Sequence, residues 1–158
     1  MPIIELTTQI NAPLERCFDL SRSIDLHKIS TAQTKEEAID GVTAGLIGLN
    51  EYVTWRAKHF GITQRLTTRI TEFKRPAYFV DEMEKGAFKR FRHEHIFETH
   101  HSGTKMIDKF DYDAPLGVLG KLANFLFLEK YMTTLLEERN SVIKDFAETD
   151  KWKKLLSI

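Results

Sequence analysis

The chain has 158 residues, 42% of them hydrophobic, 29% charged and 11% aromatic, which suits one domain with a sizeable core and argues against a disordered chain. Its 23 basic and 23 acidic side chains cancel, removing the electrostatic ground for general nucleic-acid binding. The lone Cys17 rules out an intrachain disulfide scaffold.

Residues Met1 to Glu5 show no basic region followed by an apolar run, so a secretory leader is not expected and the cytoplasm is the expected compartment. Ile4, Leu6, Thr8 and Ile10 alternate with polar neighbours, the pattern of a strand with one buried face. Asn11-Ala12-Pro13 stops it, and Pro13 suits the first position of a helix, where its missing N–H is not needed. Leu14, Cys17 and Phe18 follow at helical spacing, and a second short helix is expected over Ser23 to Ile29. Glu36 to Asp40 reads as a short strand, followed by turns at Gly41, Gly45 and Gly48.

Alternating segments then run over Asn50–Phe60, Ile62–Phe73, Ala77–Glu84, Phe88–Thr99 and Lys105–Asp113. The short turns between them imply an antiparallel meander. The last third predicts one long helix, from Pro115 to about Phe146, with a stripe of Val118, Leu122, Phe125, Met132, Leu136, Ile143 and Phe146. Leu116 to Leu128 is apolar but too short to span a bilayer, so no stable membrane insertion is expected. Its first turns carry a second apolar side of Leu116, Leu119, Ala123, Leu126 and Phe127. The short helices and the Gly41–Gly48 loop are expected to cover that side, the alternative being an association surface in a monomer or weak homodimer.

A twisted antiparallel sheet must cover its apolar face, and the last helix is the element long enough to do it. The expected fold is therefore α+β: a curved antiparallel sheet of six or seven strands around a long C-terminal helix, with two short helices after the first strand, over residues 1–158. A cavity between sheet and helix is the natural by-product. In this order of elements, and in the segments Ile10 to Leu20, Val53-Thr54-Trp55-Arg56-Ala57 and Tyr112-Asp113-Ala114-Pro115-Leu116-Gly117, the chain resembles the START-like, or SRPBCC, helix-grip superfamily, which includes the birch-pollen allergen group and polyketide cyclases/dehydratases. The resemblance implies the fold and a hydrophobic cavity without fixing a reaction.

Strand parity sorts the side chains. The inner face is expected to carry Trp55, Phe79, Met83, Phe91, Phe110 and Tyr112, side chains that pack at one end and line a pocket at the other. The outer face mixes both signs of charge and reads as solvated. Asp81, His93, His95 and Asp108 also fall inside, where ionisable groups are costly unless paired. They form either a satisfied structural network, a ligand-orienting set, or a His95–Asp108 general base. His93 and His95, about 7 Å apart on a strand, begin a metal site only if Asp108 or His59 joins them; no metal and no cofactor are expected. Glu129 interrupts the apolar stripe and is a further candidate for the cavity. Cys17, without an activating partner, reads as a buried small side chain.

Three functions remain open on sequence grounds. One is binding, with possible transport, of a hydrophobic or amphipathic small molecule. The second is a cyclase/dehydratase-type enzyme with a His–Asp base. The third is a protein-interaction module built on the apolar side of the last helix.

Overall fold

The computed structural model describes residues 2–156; Met1, Ser157 and Ile158, within the span expected as one domain, lie outside the described residues. Strand β1 (Ile3–Ile10) leads into helices α1 (Leu14–Ser21) and α2 (Ile24–Ser30). Six strands follow: β2 (Glu37–Gly41), β3 (Tyr52–His59), β4 (Ile62–Lys74), β5 (Tyr78–Lys85), β6 (Arg90–His100) and β7 (Gly103–Asp113). The chain then enters α3 (Gly117–Ala123), a π-helical stretch at Asn124–Leu128, and α4 (Glu129–Glu148).

The seven strands form one antiparallel sheet in the order β1-β7-β6-β5-β4-β3-β2. Consecutive strands pair, and β1 returns to the β7 edge with its helices interposed. The β3–β4 hairpin turns on Phe60 and Gly61, both with positive φ, which matches the right-handed twist of the flanking strands. Pro13 is the residue preceding α1 rather than its first turn, with an extended backbone. Ser23 caps α2 by accepting a hydrogen bond from the Leu26 N–H at 3.1 Å.

Period-two alternation survives in the burial of β6 and β7: Phe91, His93, His95, Phe97, Met106, Asp108, Phe110 and Tyr112 all point inward. On the other face Arg90 pairs with Asp111 and Asp113, and Arg92 with Glu72, Glu82 and Glu94, as a solvated face should. Phe18, on α1, plugs one end of the core. Its ring meets Phe73, Phe79 and Phe97 edge-on, each at 5.3 Å between centroids. Cys17 beside it is fully buried, and burial pushes its thiol up, so it is a packing residue.

The last helix departs from expectation in its first half. Asn124–Leu128 forms a π turn, which accommodates an extra residue and breaks the phase between α3 and α4. The expected stripe therefore holds from Met132 onward and fails before it. Val118 and Phe125 are each 83% exposed and Leu122 54%. The second apolar side is not covered either: Leu116, Leu119, Leu126 and Phe127 are all exposed, although Leu116, Leu119, Ala123 and Phe127 border the cavity. With Phe60 and Ile62 at the β3–β4 tip, also exposed, these side chains form an apolar rim. Phe60 spans it, lying 4.5 Å from the Tyr131 ring and 5.7 Å from that of Phe127.

Candidate functional site

Between the concave face of the sheet and the helices lies a cavity of about 370 Å³. Val53, Trp55, Leu66, Ile70, Phe79, Phe91 and Phe110 form its sheet wall, and Leu128, Met132, Leu135 and Leu136 its helix wall. Two groups of polar side chains interrupt this apolar surface.

The first group joins three strands to α4. In register, Asp81 faces His93 and His95 faces Asp108. The hydrogen bonds instead run diagonally: His93 Nε2 to Asp108 Oδ1 at 2.8 Å, and His95 Nε2 to Asp81 Oδ2 at 2.6 Å. The two imidazoles lean together to 3.8 Å between centroids, far closer than the roughly 7 Å strand spacing. The Phe79 ring stacks on His95 at 4.2 Å.

From α4, Arg139 donates to Asp108 at 3.4 Å and to the Ser21 carbonyl at 3.3 Å. Asn140 donates to the other Asp108 oxygen at 2.7 Å. Arg139 also lies 3.4 Å from His95 Nδ1, and since a guanidinium can only donate, that nitrogen accepts. His95 is thus the tautomer with its proton on Nε2, given to Asp81, and both ring nitrogens are engaged. His93 differs: Asp108 holds its Nε2–H, while Nδ1 has no hydrogen-bond partner among the described residues and lies 4.0 Å from Asp81 Oδ2.

The electrostatics follow from this wiring. His95 is pushed down to about 4, by burial first and the adjacent His93 second, against the pull of Asp81. Burial pushes the Asp81 carboxyl up, but the His95 hydrogen bond together with the nearby His95, His93 and Arg139 charges holds the group below the usual range. Asp108 is lowered in the same way, burial being overcome by the His93 hydrogen bond and the Arg139 charge.

The second group sits on the β2–β3 side. His27 Nε2 is 3.3 Å from the Glu36 carboxylate, and the His27 ring packs against Trp55 at 4.3 Å. His59 Nδ1 meets the Tyr131 hydroxyl at 2.7 Å. All five residues line the cavity. Burial pushes the Glu36 carboxyl up, yet His27, with smaller help from Thr31 and His59, leaves the group lowered.

Of the residues expected at the site, Trp55, Phe79, Asp81, Phe91, His93, His95 and Phe110 line the cavity. Met83, Tyr112 and Glu129 do not. Met83 packs in the apolar cluster around Phe91 and Tyr112. Tyr112 is fully buried, with its hydroxyl bonded to Asn124 at the π turn. That hydroxyl is pushed up to about 12, by burial first and the Glu129 carboxylate second. Asp108 is also fully buried and reaches the cavity only through its partners. The expected His95–Asp108 pair exists as a 3.5 Å approach, while the short contact of Asp108 is with His93. His59 does not join the other histidines. Sequence reasoning missed Arg139, Asn140, His27, Glu36 and Tyr131.

A curved antiparallel sheet gripping a C-terminal helix over an internal cavity defines the helix-grip class. The chain belongs to the family described as "Polyketide cyclase / dehydrase and lipid transport", which matches residues 10–137. A search of curated proteins finds no match. Among solved structures it is similar to TTHA0849 from Thermus thermophilus, with 19% identity, a TM-score of 0.74, and 91% of this chain and 95% of that one covered. A START superfamily protein from Mycobacterium smegmatis matches with 11% identity, a TM-score of 0.69 and coverage of 92% and 97%. The major latex-like protein 151 of Panax ginseng matches with 12% identity, a TM-score of 0.68 and coverage of 94% and 98%. At these identities the likeness is one of fold. Among the described residues, no helix is long and apolar enough to cross a membrane.

Proposed function

We propose that the protein binds a hydrophobic or amphipathic small molecule in the cavity. One observation carries this reading: about 370 Å³ lined mainly by aromatic and aliphatic side chains, with the ionisable ones concentrated on β5–β7 and around His27 and His59. A ligand with an apolar body and hydrogen-bonding groups at separate positions matches that distribution. Native mass spectrometry of protein purified without added ligand tests it directly. A co-purifying lipid or polyketide-like mass is expected. An empty protein with no measurable affinity for apolar probes would end the reading.

Trp55 supplies a second test. The other tryptophan, Trp152, lies under the Arg16 guanidinium at 4.2 Å and is outside the cavity lining, so Trp152→Phe leaves Trp55 as the reporter. Titrating this variant with an apolar fluorescence-silent probe should change its emission. Trp55→Ala should weaken binding about tenfold or more, provided circular dichroism shows it folded, since the packing defect alone costs about 3–5 kcal/mol. Unchanged affinity would remove Trp55 from the site.

A second reading, a cyclase/dehydratase-type enzyme with a His–Asp base, is supported by the free Nδ1 of His93. The ring is held by Asp108 through Nε2, so His93, rather than His95, is the residue placed to accept a substrate proton. On this reading His93→Gln binds the ligand nearly as well but loses about a hundredfold or more in turnover. Equal turnover in that variant would exclude it.

A further inference from the structure

The polar group on β5–β7 contains a second kind of site. Asp81, His93 and His95 each present one potential ligand atom, and these atoms lie within 4.8 Å of one another. Two observations raise this above a coincidence of spacing. The His93 Nδ1, on a residue only 6% exposed, has no hydrogen-bond partner among the described residues and lies 4.0 Å from Asp81 Oδ2. That nitrogen is open to the cavity beside a carboxylate, which leaves its lone pair available to a cation. The opposite nitrogen of the same ring is fixed by Asp108, the carboxylate–histidine arrangement that orients metal-binding imidazoles.

We propose that Asp81, His93 and His95 bind a divalent transition-metal ion, through Asp81 Oδ2, His93 Nδ1 and His95 Nε2, with an open position facing the cavity. Two imidazoles and one carboxylate are a donor set that suits zinc and other borderline ions better than calcium or magnesium. Tetrahedral ligands at zinc distances are about 3.3 Å apart, so the separations need to change by about 1 Å or less on average. Asp81, 19% exposed at the side chain, is the member with room to move. Its 2.6 Å hydrogen bond to His95 must open. The proton on His95 Nε2 then moves to Nδ1; the Arg139 guanidinium, now 3.4 Å from that nitrogen, must turn aside, and Asp108 Oδ1, 3.5 Å away, is the acceptor to which the N–H must tilt. Arg139 keeps its bonds to the Ser21 carbonyl and to Asn140. An ion of charge +2 leaves the cluster one anion short, which selects an anionic oxygen donor for the open position. The proposal uses the same Nδ1 as the general-base reading, so the two exclude each other, but it does not depend on which apolar molecule the cavity holds.

The test is titration of the full chain, first stripped with a chelator, with Zn²⁺ by calorimetry and with Co²⁺ by visible absorption. One equivalent should bind, and Co²⁺ should give the intense d–d bands of a four- or five-coordinate nitrogen–oxygen site. Asp81→Asn and His93→Phe should each weaken Zn²⁺ binding a hundredfold or more. Asp108→Asn, which touches no metal, should weaken it 10- to 100-fold through the orientation of His93. The exposed pair His100 and His101, with rings 4.2 Å apart at the β6–β7 turn, is the competing site. Replacing both by alanine should leave the affinity unchanged. Absence of stoichiometric binding would overturn the proposal. So would binding that survives in a folded His93→Phe protein, or binding that disappears with His100 and His101.

Discussion

Arg139→Met is expected to destabilise the protein by roughly 3–5 kcal/mol, the cost of leaving a buried charge without its partner. Arg139 is 7% exposed, Asp108 0%, and the guanidinium is the cation that α4 brings to the two carboxylates of the sheet. Methionine fills similar volume, so the loss reports charge rather than packing. The double variant Arg139→Met/Asp108→Asn should recover part of the loss, because it returns the cluster to a single negative charge. Urea denaturation of the two single variants and the double completes the cycle. If Asp108→Asn fails to rescue Arg139→Met, uncompensated charge is not the cause.

The second large effect is on acid stability. Folded His95 takes up its proton only near pH 4, whereas a histidine in the unfolded chain does so near 6.5. Between those values the unfolded state binds more protons, and acidification favours unfolding. The stability associated with neutral His95 is therefore complete above about pH 6.5 and declines toward pH 4, by up to about 3 kcal/mol at ~1.4 kcal/mol per pH unit. Asp81 and Asp108 act lower. Their depressed values contribute stability above about pH 4 that is lost as the pH falls through their folded values. Urea midpoints measured from pH 7 to 4.5 with a chelator present should fall steadily in the native protein. In His95→Gln the same series should be distinctly flatter, and an unaltered slope would assign the acid sensitivity elsewhere.

The strands of this fold are legible because a sheet with one wet face writes its geometry into every second residue. That parity placed Asp81, His93, His95 and Asp108 together on the inner face. It does not give side-chain directions, which is why the diagonal pairing of His93 with Asp108 and His95 with Asp81 was not foreseen. Arg139 and Asn140 had a readable signal: they follow Met132 and Leu136 at helical spacing, on the buried stripe, where two inward carboxylates already required a cation. The group formed by His27, Glu36, His59 and Tyr131 was out of reach, since it assembles from α2, the segment before β2, the end of β3 and α4, with no local pattern linking them. The first half of the final helix failed for another reason. From Leu116 to Leu128 apolar residues lie on every side, so periodicity selects no face there.

That ambiguity, joined to the π turn, makes the mouth of the cavity adjustable by a change of chain length. Loss of one residue between 124 and 128 would restore α geometry and rotate the preceding segment by about 100°. Val118 would come round to the place of Leu119, and Leu122 to that of Ala123, leaving a bulkier lining. The same shift would put Ala123 where Asn124 now meets the buried Tyr112 hydroxyl, so that hydrogen bond would be lost. A single-codon deletion could thus narrow the entrance while the sheet, and the charged cluster on it, stayed as they are. In this architecture the width of the cavity mouth and the charged cluster are inherited on separate parts of the chain.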